Sequence, residues 1–544
     1  MWVQNYAPIF GSVPLSALVA IVPIALMFVL LGVYRRPAHI AASAGFATAL
    51  VLAVLVWGMP VRIAIAASLM GAAVALLPLV WTLVAAVWFI NLLTYSGHFD
   101  VVKRSLAALT PDRRLQALLV GYGFIGLLEG LVAMGSPAAI GAAMLAGFGF
   151  PAVTASLVAL VSFSHPGIWG PMGIPVTVLS DVSGIELESL GAMIGRQDLW
   201  LTFFCAPVVV WLVAGWKGLR GVWPLAVAAG TAFAAVSFLT SNYLTMYVAG
   251  SAGALAAIAT TVAGIGVWRP DRTWRFAGDA EVTEDTSERL PRAEILRAWA
   301  PVVLLIVLLG LVSGTTVRDL LAPVGAPNFE WPGLHGAVER LPPIVPQPGP
   351  YPAIYAQPLL VLPGTVVLLS GLLSLPLIGV PVRRAAGIYV RTVCQLWVAI
   401  RTTVAVIALG YVMNYAGLSL TVGIALAVAG ALFPVVAVLV GMIGNGVTGT
   451  NTASNALFGN LIAVVGEQTS APPAFAGSTL AVGGSMAKAV APQSLALATG
   501  ATGTAGSEGQ LLRRVSGVVL LLCASFAAFA MAQYYFFPWM IPTS

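Results

Sequence analysis

The chain has 544 residues, of which 59% are hydrophobic and only 8% are charged, and its mean hydropathy is +0.97. Soluble domains carry about a quarter charged residues, so a water-soluble enzyme is excluded. The net charge of +6 does not indicate a nucleic-acid partner, because the basic residues sit at the ends of apolar runs, where topology determinants sit. A bilayer crossing needs about 20 apolar residues, and runs of that kind recur along the chain, so the fold class is all-α and polytopic, with the lipid bilayer as its solvent.

Taken in order, the predicted spans are Val13–Val33, Ile40–Gly58, Ile63–Leu93, Leu199–Gly215, Pro224–Leu239, Leu244–Val267, Ala300–Val312, Leu359–Leu375, Val393–Met413, Leu420–Met442 and Val515–Met531. The stretch Met1–Pro14 has no positive charge ahead of the first run, which is wrong for a cleaved leader and marks Val13–Val33 as a retained helix. Two further zones, Leu115–Leu179 and Gly444–Ala501, are apolar but interrupted by Gly, Pro, Ser, Thr and Asn. With them the count rises to about 12–14 crossings. The hydrophilic connections are Trp268–Arg297, with six arginines and seven acids, and the Pro- and Gly-rich Gly314–Gln357, read as an irregular external loop. Residues 1–267 and 298–544 then form two transmembrane halves, each holding one interrupted zone.

Orientation follows from the placement of Lys and Arg. Nineteen basic residues, from Arg35 and Arg36 through the 269–297 arginines to Arg513 and Arg514, fall on one side, and only Arg62, Arg196, Arg318 and Arg340 on the other. This puts both termini outside and the 268–297 loop in the cytoplasm. Arg401 and Lys488 are left inside apolar surroundings. The two interrupted zones match at short range: Ser136-Pro137-Ala138 with Gly141 against Ser454-Asn455-Ala456 with Gly459, and Pro175 with Thr177 against Pro492 with Ser494. Entered from opposite faces, such a pair predicts an inverted repeat of broken helices or re-entrant hairpins with a site near the midplane.

Glu129 is the acid that stands deep in an apolar segment. A carboxylate at that depth costs roughly 2.5–3.5 kcal/mol on insertion scales and marks a pathway or a proton relay; a structural pairing with Arg401 or a hydroxyl is the plainer alternative. His165, ahead of Pro166, is a second relay candidate or a hydrogen-bonded structural residue. The run Gly446–Asn455 places Thr448, Thr450, Asn451, Thr452, Ser454 and Asn455 among glycines with no charge. Freed amides there can receive a carboxylate without fixed charge, unless the run is a small-residue packing face. Lys488 is the natural counter-charge for an anion, with Arg401 as the other candidate; either can instead snorkel to an interface. Ser485-Met486-Ala487-Lys488 also fits the serine–lysine spacing of some hydrolases, but no supporting SDN or KTG element occurs. The glycines at Gly147 and Gly149 lack the strand and acid of a dinucleotide fingerprint, so no cofactor is expected. The cysteines Cys205, Cys394 and Cys523 lie far apart without metal spacing.

These residues carry a resemblance. Leu127-Leu128-Glu129-Gly130, Gly135-Ser136-Pro137-Ala138-Ala139-Ile140, Gly173-Ile174-Pro175, the run Val447–Asn455 with Phe458-Gly459-Asn460, Met486-Ala487-Lys488, Ala491-Pro492-Gln493-Ser494, Ala501-Thr502-Gly503 and Ser507-Glu508-Gly509 together resemble the bacterial lactate permease family. The resemblance implies a proton-coupled importer of small 2-hydroxymonocarboxylates such as lactate or glycolate, in the inner membrane. It also implies an ion-transporter-like fold with elevator-type movement. It carries Glu129, Ser136, Thr450, Asn451, Ser454, Asn455, Lys488, Gln493 and Ser494 over as motif positions. The chain departs from the family where Leu131, Val132 and Met134 are bulkier than the small residues usual there, and where His165 replaces an ordinary polar position. On this reading Glu129 and His165 handle the proton, and Ser136, Thr450, Asn451, Thr452, Ser454, Asn455, Lys488, Gln493, Ser494 and Arg401 meet the anion. H+ is the coupling ion, with Na+ as the alternative. The sequence leaves the oligomeric state open, a homodimer being the working expectation.

Overall fold

A computed structural model describes residues 1–34, 36–131, 136–268, 272–276, 290–313, 315–321, 323–324, 326–345 and 347–542. Eleven helical stretches among them are long and apolar enough to cross a membrane: Val13–Leu31, Ala38–Leu55, Val61–Tyr95, Arg113–Leu131, Ala152–Ser183, Leu187–Tyr243, Met246–Val267, Arg292–Val312, Val382–Ala416, Leu418–Thr448 and Glu508–Tyr535. Two shorter apolar helices, Pro137–Gly147 and Pro363–Ile378, add to them. The chain is a multi-pass membrane protein.

Several helices carry a proline at their first or second residue, where the missing N–H costs nothing and the ring presets the first turn: Pro363–Ile378, Pro473–Ser485 and Pro492–Ala501 begin with one, and Phe433–Thr448 has Pro434 second. Without a hydrophobic drive between helices in lipid, small residues decide how closely they approach. Gly71 faces the backbone of Ala408, and Gly441 faces Leu480 and Gly484, at separations that leave no room for a methyl group.

The long helix Leu187–Tyr243 is two arms. Gly215, at φ 61° and ψ −169°, breaks it, and the arms pack antiparallel, with Asn242 Nδ2 donating to the Ala192 carbonyl at 3.2 Å and Arg196 Nε donating to Asn242 Oδ1 at 3.1 Å. The predicted single span Leu420–Met442 is likewise interrupted, at Gly430. The described residues of the 314–357 region, expected to be irregular, are folded. Asn328–Glu330 pairs antiparallel with Ile354–Ala356, and Val338–Arg340 pairs parallel with Trp2–Val3 and antiparallel with Gly349–Pro350. Aromatic residues the composition did not place hold it: Arg340 stacks over Tyr351 at 4.4 Å, Tyr351 stacks on Tyr415 at 4.4 Å, and Trp331 donates to the Ala66 carbonyl at 3.0 Å. Pairing with Trp2–Val3 ties the N-terminus to this segment. Residues 272–276 belong to a different cluster, where Arg114 donates to the Arg272 carbonyl and Asp112 accepts from the Trp274 amide.

The two interrupted zones lie at the centre of the bundle. Arg114–Leu131 is wholly buried and most of Ala152–Ser183 is buried, against 28% of the outer span Ala38–Leu55. Both zones run helix, helix, tight turn, helix, short 3-10 turn, helix, with residues 132–135, between the first two helices of the first zone, outside the described residues. In the first these are Ile125–Leu131, Ser136–Gly147, Ala152–Ser164, His165–Ile168 and Ile174–Ser183. In the second they are Phe433–Thr448, Asn451–Gln468, Pro473–Ser485, Met486–Val490 and Pro492–Ala501. Their packing is exchanged: Ile174–Ser183 lies on Asn451–Gln468, while Pro492–Ala501 lies on Ser136–Gly147.

Candidate substrate-binding site

A cavity of about 500 Å³ opens where the interrupted zones meet the helices Val13–Leu31, Ala38–Leu55, Val61–Tyr95 and Val382–Ala416. Its two walls differ in chemistry. The second group of helices supplies Met27, Leu31, Leu79, Leu83, Val87, Val406 and Ile407, with Gln395, Thr402 and Thr403 as its polar points. The interrupted zones supply Glu129, the backbone of Gly167 and Gly170, then Thr448, Thr450, Asn451, Thr452, Lys488 and Gln493.

Lys488 is the centre of the polar wall. Its ammonium is ion-paired to Glu129 Oε1, with the two side chains 3% and 1% exposed, and it also sits 4.4 Å from the Phe163 ring centre. The Glu129 Oε2 atom has no hydrogen-bond partner among the described residues. The short turn Met486–Val490 lifts Lys488 out of the helical ladder toward Glu129, on a helix of the other zone. The chain at Gly167 makes room: a methyl group there would come within 2.9 Å of Lys488 Nζ.

Helix N-termini converge beside this pair. Thr450 caps Asn451–Gln468 by accepting from the Ala453 amide, and its first residues line the cavity. Gln493 stands in the first turn of Pro492–Ala501 and Pro175 in the first turn of Ile174–Ser183. Unpaired N–H groups and the helix dipole make such ends favourable to anions. Gln493 Nε2 donates to the Thr448 carbonyl at 2.8 Å, linking the two second-zone breaks.

Of the residues expected to form the site, the structure brings Glu129, Thr450, Asn451, Thr452, Lys488 and Gln493 to one cavity. Others go elsewhere. Ser454, Asn455 and Ser494 are buried in helix packing, and Asn455 Nδ2 donates to the Pro175 carbonyl at 2.9 Å, seating one zone on the other. His165 is stacked on Tyr122 at 4.9 Å and edge-on to Phe233 at 5.0 Å, neither ring nitrogen having a partner among the described residues, and it does not line the cavity. Arg401 is exposed on the outer face of Val382–Ala416, whereas its neighbours Thr402 and Thr403 face inward. Ser136 opens its helix, but its side chain lies outside the described residues, as do Val132 and Met134.

Two readings are corrected. Glu129 is not the only acid at depth, because Asp198 is 1% exposed; the span expected from Leu199 begins at Leu187. The serine–lysine hydrolase pairing does not form: Ser485 Oγ donates to the Val482 carbonyl at 2.8 Å, and Lys488 is committed to Glu129. Missed altogether were Gln395 and the Thr402–Thr403 pair, and the backbone wall Gly167–Pro171. The glycine–proline punctuation of 166–175 was the signal for the last.

A buried charge pair, helix ends aimed into a cavity at mid-chain breaks and an apolar wall opposite define a membrane transporter rather than an enzyme. The sequence model of the L-lactate permease family matches residues 16–537. The chain belongs to that family. It is 35% identical to the glycolate permease GlcA of Escherichia coli (strain K12), over 99% of each chain. It is also 32% identical to the L-lactate permease of Bacillus subtilis (strain 168), over 99% of this chain and all of that one. The L-lactate permease of Escherichia coli (strain K12) is 33% identical, over the full length of both.

Proposed function

We propose that this permease imports small 2-hydroxymonocarboxylates, lactate and glycolate first among them, across a bacterial plasma membrane by proton symport. One observation carries the reading: the Lys488–Glu129 pair, buried in the cavity wall where helix N-termini converge. The empty pair is neutral. A substrate carboxylate that engages Lys488 must displace the Glu129 carboxylate, and two carboxylates beside one ammonium in a dry site repel strongly. A proton on Glu129 removes the conflict, so substrate and proton occupy the site together and the loaded site is again neutral. A neutral load crosses an apolar interior at far lower cost than a bare anion. Thr450, Asn451 and Thr452 offer directional partners to the 2-hydroxyl, and the Met27, Leu79 and Leu83 wall accepts a methyl.

The same element order in the two zones and their exchanged helices support an inverted repeat. The cavity's position between those zones and the remaining helices supports an elevator movement of one group past the other. The distribution of basic residues supports a topology with both termini outside.

Proteoliposomes with an imposed inward proton gradient test the coupling. Wild type is expected to concentrate labelled lactate or glycolate, and Glu129→Gln to equilibrate substrate without concentrating it. Undiminished accumulation by Glu129→Gln sinks the proposal. A sodium-coupled reading has one observation of its own, the oxygens of Asn445, Asn451, Ser454 and Asn455, which have no hydrogen-bond partner among the described residues. Uptake that survives collapse of the proton gradient and depends on sodium would favour it.

A further inference from the structure

Asp198 is a buried acid for which the transport cycle above has no use. It lies in the first arm of Leu187–Tyr243 and is 1% exposed. Oδ2 accepts the indole N–H of Trp169 at 2.9 Å, the Thr202 hydroxyl is its other side-chain hydrogen-bonding neighbour, and no basic side chain among the described residues forms an ion pair with it. Burying a carboxylate without a cation is expensive, so its presence calls for a compensating role.

Trp169 shows what that role is. It stands between the turn His165–Ile168 and a stretch of unusual backbone, with Gly170 at φ 51°, Met172 at φ 51° and Gly173 at φ 72°. Positive φ at a residue with a side chain is strained and persists only where the surroundings impose it. The segment's own ladder is thin, with the Trp169 and Gly170 amides both returning to the Pro166 carbonyl. The anchor is the indole: hydrogen-bonded to Asp198 on one side, it packs on the other against Gly250, where a methyl group would lie 3.2 Å from Trp169 Cβ. Two residues before Trp169, the Gly167 backbone abuts the Lys488 side chain, and Gly167, Gly170 and Pro171 line the cavity.

We propose that Asp198 is a positioning residue of the substrate site: as the acceptor for Trp169 it fixes segment 165–173, and with it the seat of Lys488, in the geometry that receives a carboxylate. The inference rests on the reading that Lys488 meets the substrate anion.

Purified, reconstituted wild type, Asp198→Asn, Asp198→Ala, Trp169→Phe and the Asp198→Ala/Trp169→Phe double variant are compared in lactate and glycolate uptake. The same proteins are compared in hydrogen–deuterium exchange of peptides covering 165–173. Loss of one buried hydrogen bond is expected to raise the apparent KM about five- to tenfold in Asp198→Ala and Trp169→Phe, with Vmax within about twofold. The double variant should be no worse than the worse single. Asp198→Asn keeps an acceptor oxygen and should restore KM to within about twofold of wild type. Exchange across 165–173 should accelerate in Asp198→Ala and Trp169→Phe and stay near wild type in Asp198→Asn. If Asp198→Ala does not fold, Trp169→Phe and Asp198→Asn decide alone. Asp198→Asn as impaired as Trp169→Phe, additive losses in the double variant, or unchanged exchange in Trp169→Phe each overturn the proposal. A wild type that transports neither acid defeats the substrate reading, while the exchange data still judge Asp198.

Discussion

Lys488 meets three neighbours of different kinds: the Glu129 carboxylate, the face of Phe163 and the bare backbone of Gly167. Each constrains what can replace it. Lys488→Ala leaves Glu129 buried without a cation, a change that costs about 3–5 kcal/mol in known buried pairs. It removes the charge proposed to attract the anion. The expected outcome is a loss of apparent affinity for lactate of more than about tenfold in proteoliposome uptake. Lys488→Arg should not restore it, because the broader guanidinium has no space beside Gly167. Arg401→Gln provides the contrast: an exposed residue outside the cavity should leave KM and Vmax within about twofold of wild type, as surface substitutions do. Residue chemistry made Glu129 and Lys488 legible from the sequence, because a lone charge in an apolar run is conspicuous wherever its side chain points. The same rarity misdirected attention to Arg401. Scarcity marks a residue but does not say which side of a helix it occupies, and one step of about 100° separates Arg401 from the inward Thr402. Asp198 escaped notice for a related reason: hydropathy begins the span one residue after it, whereas hydrogen bonding begins the helix at Leu187.

At the scale of elements, the interrupted zones were visible as punctuation, and the breaks fall where Gly and Pro stand. Gly449 shows why. It ends Phe433–Thr448 at φ 69°, and a methyl group there would lie 2.1 Å from Gln493 Nε2. Only glycine serves both the left-handed turn and the approach of Gln493. Gly449→Ala is therefore expected to strain the break by about 1 kcal/mol and to push Gln493 off the Thr448 carbonyl. Uptake should fall at least about fivefold, while the amount of protein in the membrane, read by immunoblot, stays near wild type. What the sequence could not convey was partnership between elements. Nothing local to Asn455 says that its amide seats Pro175, 280 residues away; the residue type suited a binding site and a packing contact equally. The 314–357 region was opaque for the same reason, since its strands of two or three residues pair across gaps and with the N-terminus.

For the molecule as a whole, the elevator proposal requires the interrupted zones to slide against the remaining helices. Gly423, in Leu418–Leu426, offers a way to stop them: a Cβ built there lies 3.0 Å from Cβ of Val464 in Asn451–Gln468. Cysteines at both positions, in a background freed of Cys205, Cys394 and Cys523, are close enough to bridge with slight adjustment. Oxidation is expected to abolish lactate uptake in the double variant, reductant to restore it, and neither treatment to affect the single variants. Full activity of the cross-linked protein would show that these helices do not part during transport.

The Lys488–Glu129 contact joins residues 359 positions apart. During synthesis the acid enters the bilayer long before its cation has been translated. Until the second zone arrives, the first holds an uncompensated group in an apolar setting, and a chain cut short before Lys488 keeps that defect for good. Charge balance at the site is thus among the last things assembly supplies. The device that would carry the proton also separates a finished protein from an unfinished one.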